Sequence, residues 1–301
     1  MLWYAFALIG ALCQAVYSLS VKILLRTIRP YPLAGFSFLS GSLVLFFVSF
    51  LSGIPPLGSG FLPAVAVTVG INLIATVLFY RALATTDLSL CIPMLAFTPV
   101  FLILTSFLIL GELPSPAGAV GILLVTAGAY LLNLECKNGR LTTLAAPINT
   151  LARDRGIQSM LLVAFLYSIS VNYDKRVVLE SDPIFGSALI FLLLGIAFLS
   201  LAIWSGMNER ISGSGAAGSD LPSIGQSLAF PAIGLVLALE AITINLAYTI
   251  TIVPYVITVK RLAIFFSVVF GWLLLKERQI VWRMIGAGVM IAGAVVIGIL
   301  G

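Results

Sequence analysis

The chain reads as an all-α integral membrane protein, with ten transmembrane helices arranged as two inverted five-helix repeats. Three observations predict this. Of 301 residues, 61% are hydrophobic and 9% charged, with mean hydropathy +1.17; a soluble domain carries about 25% charged residues. Ten apolar stretches approach the roughly 20 residues that a helix needs to cross a bilayer. The halves also repeat each other: Leu110, Glu112, Gly121 and Ala127-Gly128-Ala129 recur as Leu275, Glu277, Gly286 and Ala292-Gly293-Ala294, each 165 residues on. Earlier in each half, Tyr17-Ser18-Leu19-Ser20-Val21 is echoed by Tyr167-Ser168-Ile169-Ser170-Val171, 150 residues on. The difference falls mainly in the Gly/Ser-rich stretch Ser205–Leu221.

In order, the first span covers 2–24. Met1-Leu2-Trp3-Tyr4 lacks the basic region of a cleaved signal peptide, so this span is expected to be retained. Spans 33–52 and 61–83 follow, bounded by the turn formers Pro30-Tyr31-Pro32 and Pro55-Pro56. The fourth, 89–110, holds Pro93 and Pro99, which bend a helix and free carbonyls. Pro114-Ser115-Pro116 introduces 116–134. The second half supplies 157–176, then 184–204 after Asp182-Pro183, 226–248, 255–275 after Pro254, and 280–300. The organisation is therefore 1–136, a polar linker 137–156, and 157–301. Five helices per copy is an odd number, so the second copy enters the bilayer inverted.

Lys and Arg crowd the odd-numbered loops, among them Arg26, Arg29, Lys137, Arg140, Lys276 and Arg278. By the positive-inside rule those loops are cytoplasmic and both termini lie outside. The net charge of +5 thus reads as membrane orientation, not nucleic-acid binding. Three dispersed cysteines indicate neither disulfides nor a metal site. Histidine is absent, which removes the usual general base and metal ligand. Neither an enzyme nor a cofactor or metal is expected. Gly118, Gly121 and Gly128 in the fifth span and Gly286, Gly288 and Gly293 in the tenth allow close helix approach, within the chain or in a homodimer.

Tyr80-Arg81-Ala82-Leu83, Pro99 and Leu110-Gly111-Glu112, with Leu274-Leu275-Lys276-Glu277 and the Gly/Ala-rich last helices, carry a resemblance. The chain resembles the drug/metabolite transporter superfamily, in particular its ten-helix EamA-like group with two EamA repeats. The resemblance covers nearly the whole chain. It implies export of amino acids or drugs, or exchange of sugars, nucleotide sugars or phosphorylated metabolites. Tyr255-Val256-Ile257-Thr258-Val259-Lys260-Arg261 looks like the Lys-Arg pair with which plastid phosphate-sugar translocators hold phosphate, which implies an anion. The chain departs from many EamA-like proteins in having no basic residue between Ser52 and Gly60.

Ionisable residues inside spans are costly and mark solute or proton paths. Glu240 is well inside the eighth span. The link to the ninth is short, which puts Glu240 about 13 Å and Lys260 about 9 Å below one face, within side-chain reach. Adjacent helical residues point about 100° apart, so one of Lys260 and Arg261 is expected to neutralise Glu240 while the other faces solute. The plainer alternative is a structural ion pair, or Lys260 snorkelling to the interface. Asn72, Tyr80 and Asn245 add polar groups that would line a cavity or bond between helices. Lys22 and the cluster Tyr173, Asp174 and Lys175 close the first and sixth spans at about equivalent repeat positions, as gate residues or solvated helix ends.

The expectation is an inner-membrane secondary transporter of a small organic anion or zwitterion, working by alternating access, with Glu240 as counter-ion or proton carrier. Its partners are the solute and the lipid bilayer. The alternative is an exporter of cationic or neutral amphiphiles or amino acids, recognised by Glu240.

Overall fold

The computed structural model describes residues 2–25, 27–85, 92–133, 136–137, 140–141, 154–212, 229–275 and 280–301. In the first half, α1 (Leu2–Leu24), α2 (Pro30–Ser52) and α3 (Phe61–Thr85) precede a 3₁₀ segment, Ile92–Phe97, that leads into α4 (Thr98–Leu110) and then α5 (Pro116–Asn133). The second half has α6 (Arg155–Leu179), α7 (Phe185–Ser212), α8 (Ala229–Ile250), α9 (Val253–Lys260), α10 (Ala263–Leu275) and α11 (Ile280–Leu300). Among the described residues seven helical stretches are long and apolar enough to cross a membrane, and Met94–Leu110, Pro116–Leu132 and Ile285–Leu300 are shorter apolar helices. The one departure from all-α structure among the described residues is a two-residue ladder, Cys136–Lys137 (β1) with Arg140–Leu141 (β2).

Local chemistry sets the ends. Prolines occupy the first turns of α2, α4 and α9, where a missing N–H costs nothing. Asp154 caps α6 by accepting from Gly156 and Ile157 N–H, and Asp182 does the same for Ile184 and Phe185 ahead of α7. Gly111 ends α4 at φ 72° in the left-handed region, which favours glycine, and turns Glu112 back over the helix.

The fourth and ninth spans are each broken, the first as the prolines predict, the second without a proline or glycine at the break. The ninth breaks where the chain tightens to i→i+3 bonding: Arg261 N–H reaches Ile257 and Thr258 carbonyls, and Leu262 N–H reaches Val259. The two breaks are equivalent in the repeat, since α4 and α10 each run 13 residues and begin 165 residues apart, at Thr98 and Ala263.

Packing follows the same equivalence. Helix α1 packs on α8 as α6 packs on α3; α1 packs on α9 and α10 as α6 does on the fourth span; α2 packs on α8 as α7 does on α3. The pairs α2 with α7, α5 with α11, and α4 with α9 join the halves directly. The glycines of α5 and α11 face each other: a Cβ on Gly128 would lie 2.6 Å from the Gly286 carbonyl, and one on Gly293 2.7 Å from the Gly121 carbonyl. These glycines serve close packing within the chain.

Both chain ends lie on one face. Trp3 stacks on Tyr255, and Ser115 Oγ donates to the Leu300 carbonyl at 3.2 Å. This is called the terminal face below, and the opposite one, where α5 ends and α6 begins, the linker face.

Candidate functional site

Glu240 occupies the middle of α8 and is 7% exposed. Its Oε1 lies 2.6 Å from Lys260 Nζ, at the last residue of α9. The sequence expectation that these two meet holds in the geometry. Lys260 is the residue that takes Glu240; Arg261, one step on, is within electrostatic range of Tyr167 of α6. Two polar atoms remain without partners: Glu240 Oε2 and Arg261 Nε are buried and make no hydrogen bond.

Beside this pair runs a directed chain of hydrogen bonds between α3 and α6. Asn72 Nδ2 donates to Ser170 Oγ at 2.7 Å, Ser170 and Thr68 hydroxyls are 2.7 Å apart, and Thr68 Oγ1 donates to Asp174 Oδ1 at 2.5 Å. The carboxylate is acceptor-only, so the chain runs from Asn72 to Asp174. Lys260 is within electrostatic reach of Asp174, and Tyr248 of α8 within reach of Asp174, Glu112 and Glu240. Four helices, α3, α6, α8 and α9, thus bring polar side chains to one buried centre.

The other expected site residues are more dispersed. Asn245 donates to the Pro183 carbonyl and to Ser187 Oγ, both at 2.7 Å, so its amide nitrogen ties α8 to α7. Tyr80 is in α3, and its side chain lies outside the described residues. Tyr173 carries the Arg176 guanidinium 5.6 Å from its ring centroid. Lys22 is exposed at the linker-face end of α1, while Lys175 is 8% exposed near the terminal face. Glu277, the repeat counterpart of Glu112, and Asp87, the carboxylate nearest in sequence to Arg81, lie outside the described residues.

Sequence reasoning missed the partner of Lys175. Its Nζ lies 2.5 Å from Glu112 Oε1 and donates to the Thr251 carbonyl at 2.8 Å. Glu112 Oε2 accepts from Val253 N–H at 2.8 Å and Ser106 Oγ at 3.0 Å. Tyr255 Oη accepts from Ser115 N–H, and Glu180 of the second half accepts from Gly58 and Gly60 N–H of the first. The terminal face is therefore stitched shut across the two halves. Between α3 and α7, nearer the linker face, lies a groove of about 650 Å³ with an apolar lining that includes Leu73, Val77, Ala197 and Leu201, and with Arg81 and Trp204 also on its wall. Among the described residues no group of His, Cys, Asp and Glu side chains could hold a metal.

The family model described as EamA-like transporter family matches residues 1–134 and again 154–299. No curated protein matches the chain. One solved crystal structure of a protein aligns over 98% of this chain and 95% of its own, at 16% identity and a TM-score of 0.74. At that identity the likeness is one of fold.

Proposed function

The chain belongs to the EamA-like transporter family, and from that membership we propose a secondary active transporter of a small organic anion or zwitterion, not an enzyme. It works in the inner membrane by alternating access between two inverted five-helix repeats, 1–136 and 157–301. The linker face is cytoplasmic, and the arrangement described above is open toward it and closed toward the outside.

The observation that carries the substrate class is that Glu240 Oε2 and the Nε of Arg261, the residue after Lys260, are buried without hydrogen-bond partners. Buried polar atoms without partners are rare and costly. Arg261 Nε can give a hydrogen bond to a carboxylate, phosphate or sulfonate, and Glu240 Oε2 can accept one from an ammonium or hydroxyl. Lys260 holds the empty site neutral, and solute competes for it. Solute that takes Lys260 leaves the Glu240 carboxylate without its counter-ion, and Glu240 is the proposed proton carrier. The break between α9 and α10 places both basic residues where backbone is irregular, as in the broken helices around solute sites of other transporter folds.

A thermal-shift screen of detergent-purified protein tests this, against metabolite anions, amino acids and lipophilic cations, with K260A, R261A and E240Q beside wild type. A bound ligand stabilises the native state by mass action. The expected result is a stabilising anion or zwitterion whose shift disappears in R261A, followed by its uptake into liposomes. If only cations shift the wild type, and E240Q abolishes that shift, the basic pair is structural and Glu240 recognises a cation.

A further inference from the structure

We infer that Glu112 is a positioning residue for Lys260: it locks the terminal face and, through α9, sets the lysine against Glu240. The inference rests on the reading of Lys260 as the cation of the solute site.

Helix α9 has eight residues, no acidic residue in its first turn, and an N-cap, Ile252, whose side chain caps nothing. Pro254 has no N–H and Tyr255 N–H reaches back to the Ile252 carbonyl, so the Val253 N–H and the positive end of the helix dipole are what need a partner from elsewhere. Glu112 supplies it across 141 residues of sequence, accepting the Val253 N–H at 2.8 Å. The same carboxylate holds Lys175 of α6 by its other oxygen, and Lys175 in turn holds the Thr251 carbonyl just ahead of α9. Glu112 itself is fixed by the left-handed turn at Gly111 and by Ser106 Oγ. One carboxylate thus joins the end of α4, α6 and the start of α9.

The far end of α9 carries Lys260. Every residue from Val253 to Val259 is buried, so α9 moves as a packed rod about 12 Å long. The tightened turn at Arg261 and Leu262 separates it from α10, so α9 can shift without dragging α10. Opening the terminal face separates Lys175 from Glu112 and frees the start of α9; Lys260 then leaves Glu240. Conversely, solute that takes Lys260 from Glu240 loosens the lock. Gate and site share one short helix.

The test uses full-length protein in lipid nanodiscs and no solute. Amine acetylation is followed residue by residue by mass spectrometry, with the exposed Lys22 as internal reference. Lys260 held by Glu240 reacts slowly, and E240Q gives the released rate. In E112A the Lys260 rate is expected to rise on the order of tenfold, within the usual range for coupling between sites, with Lys22 unchanged. E112Q keeps a carbonyl acceptor for Val253 N–H, so its Lys260 rate stays closer to wild type. The exchange E112K/K175E restores opposite charges across the lock but puts a cation at the start of α9, and Lys260 stays fast. Folded E112A with a wild-type Lys260 rate overturns the inference. So does an exchange variant that returns to the wild-type rate, because Glu112 would then be half of a structural ion pair and nothing more. Should E112A not fold, E112Q and the exchange variant still decide between these. Failure here leaves the solute-site reading standing, and absence of any ligand shift in the screen leaves this result standing.

Discussion

Lys260 Nζ stands 2.6 Å from Glu240 Oε1, and the two side chains are 27% and 9% exposed. The pair is therefore asymmetric. The carboxylate is nearly enclosed, whereas the ammonium retains a route to water. Removing one member of a buried pair leaves the other charge uncompensated, which costs more than the pair itself contributes.

From this asymmetry K260A should be the more damaging change, costing about 3–5 kcal/mol in unfolding free energy, and E240Q distinctly less. The double variant K260M/E240Q should recover most of the loss, because no charge is then left buried. Unfolding of the purified protein in mixed micelles, followed by tryptophan fluorescence, measures all three. Equal losses from the two single variants would mean that Lys260 is as confined as Glu240.

The chain Asn72–Ser170–Thr68–Asp174 makes a separate prediction. Thr68 Oγ1 is its only member touching the carboxylate. T68V keeps the shape of the side chain but strands both Asp174 Oδ1 and the Ser170 hydroxyl. A loss of about 1.5–3 kcal/mol is expected, the range for hydrogen bonds to charged groups. T68S keeps the hydroxyl and should stay near wild type. The same unfolding assay reads both, and an innocuous T68V would mean that water replaces the threonine.

Much of this was legible in the sequence, for identifiable reasons. Long apolar runs and proline turns fix the spans, and a link as short as Thr251–Ile252 forces Glu240 and Lys260 to comparable depths. The break at Arg261 and Leu262 was not legible, because it is made by a change in hydrogen-bond spacing and carries no proline or glycine. Glu112 read as a plain helix end, since its partner Lys175 is 63 residues away and nothing local points to it. The glycine stripes announced a close approach but not its partner: the same pattern serves a dimer or, as between α5 and α11, a contact inside one chain.

That contact predicts a contrast among glycines. A Cβ on Gly128 meets the Gly286 carbonyl and the Met290 backbone nitrogen at 2.6 Å, whereas one on Gly288 meets nothing within 4 Å. G128A must push α5 and α11 apart and should cost about 1–3 kcal/mol, as overpacking does. G288A should be neutral, or stabilising by up to about 1 kcal/mol because alanine favours helix. Size-exclusion profiles of fluorescent fusions, taken after graded heating, compare the two. Loss of folded monomer in G128A, without a change in oligomer size, is the expected signature. An altered oligomer with normal thermal stability would point instead to a contact between copies.

Orientation gives the last prediction. Lys175, Arg176, Lys260 and Arg261 are the basic residues nearer the terminal face; Lys175 and Lys260 are held in ion pairs with Glu112 and Glu240, and Arg176 is exposed over the Tyr173 ring. Arg29, Arg81 and Arg155 mark helix ends at the linker face, and the sequence between helices at 134–153 and 276–279 contributes more. Short loops rich in Lys and Arg stay in the cytoplasm. Alkaline phosphatase fused after Gly301 should therefore be active, and green fluorescent protein fused there dark. Reporters inserted between Leu141 and Arg153 should behave in the opposite way. With that orientation the Lys175–Glu112 lock faces outward, and the groove between α3 and α7 lies on the cytoplasmic side. A fluorescent C-terminal fusion would reverse both assignments, and with them the direction from which solute reaches Lys260 in this arrangement.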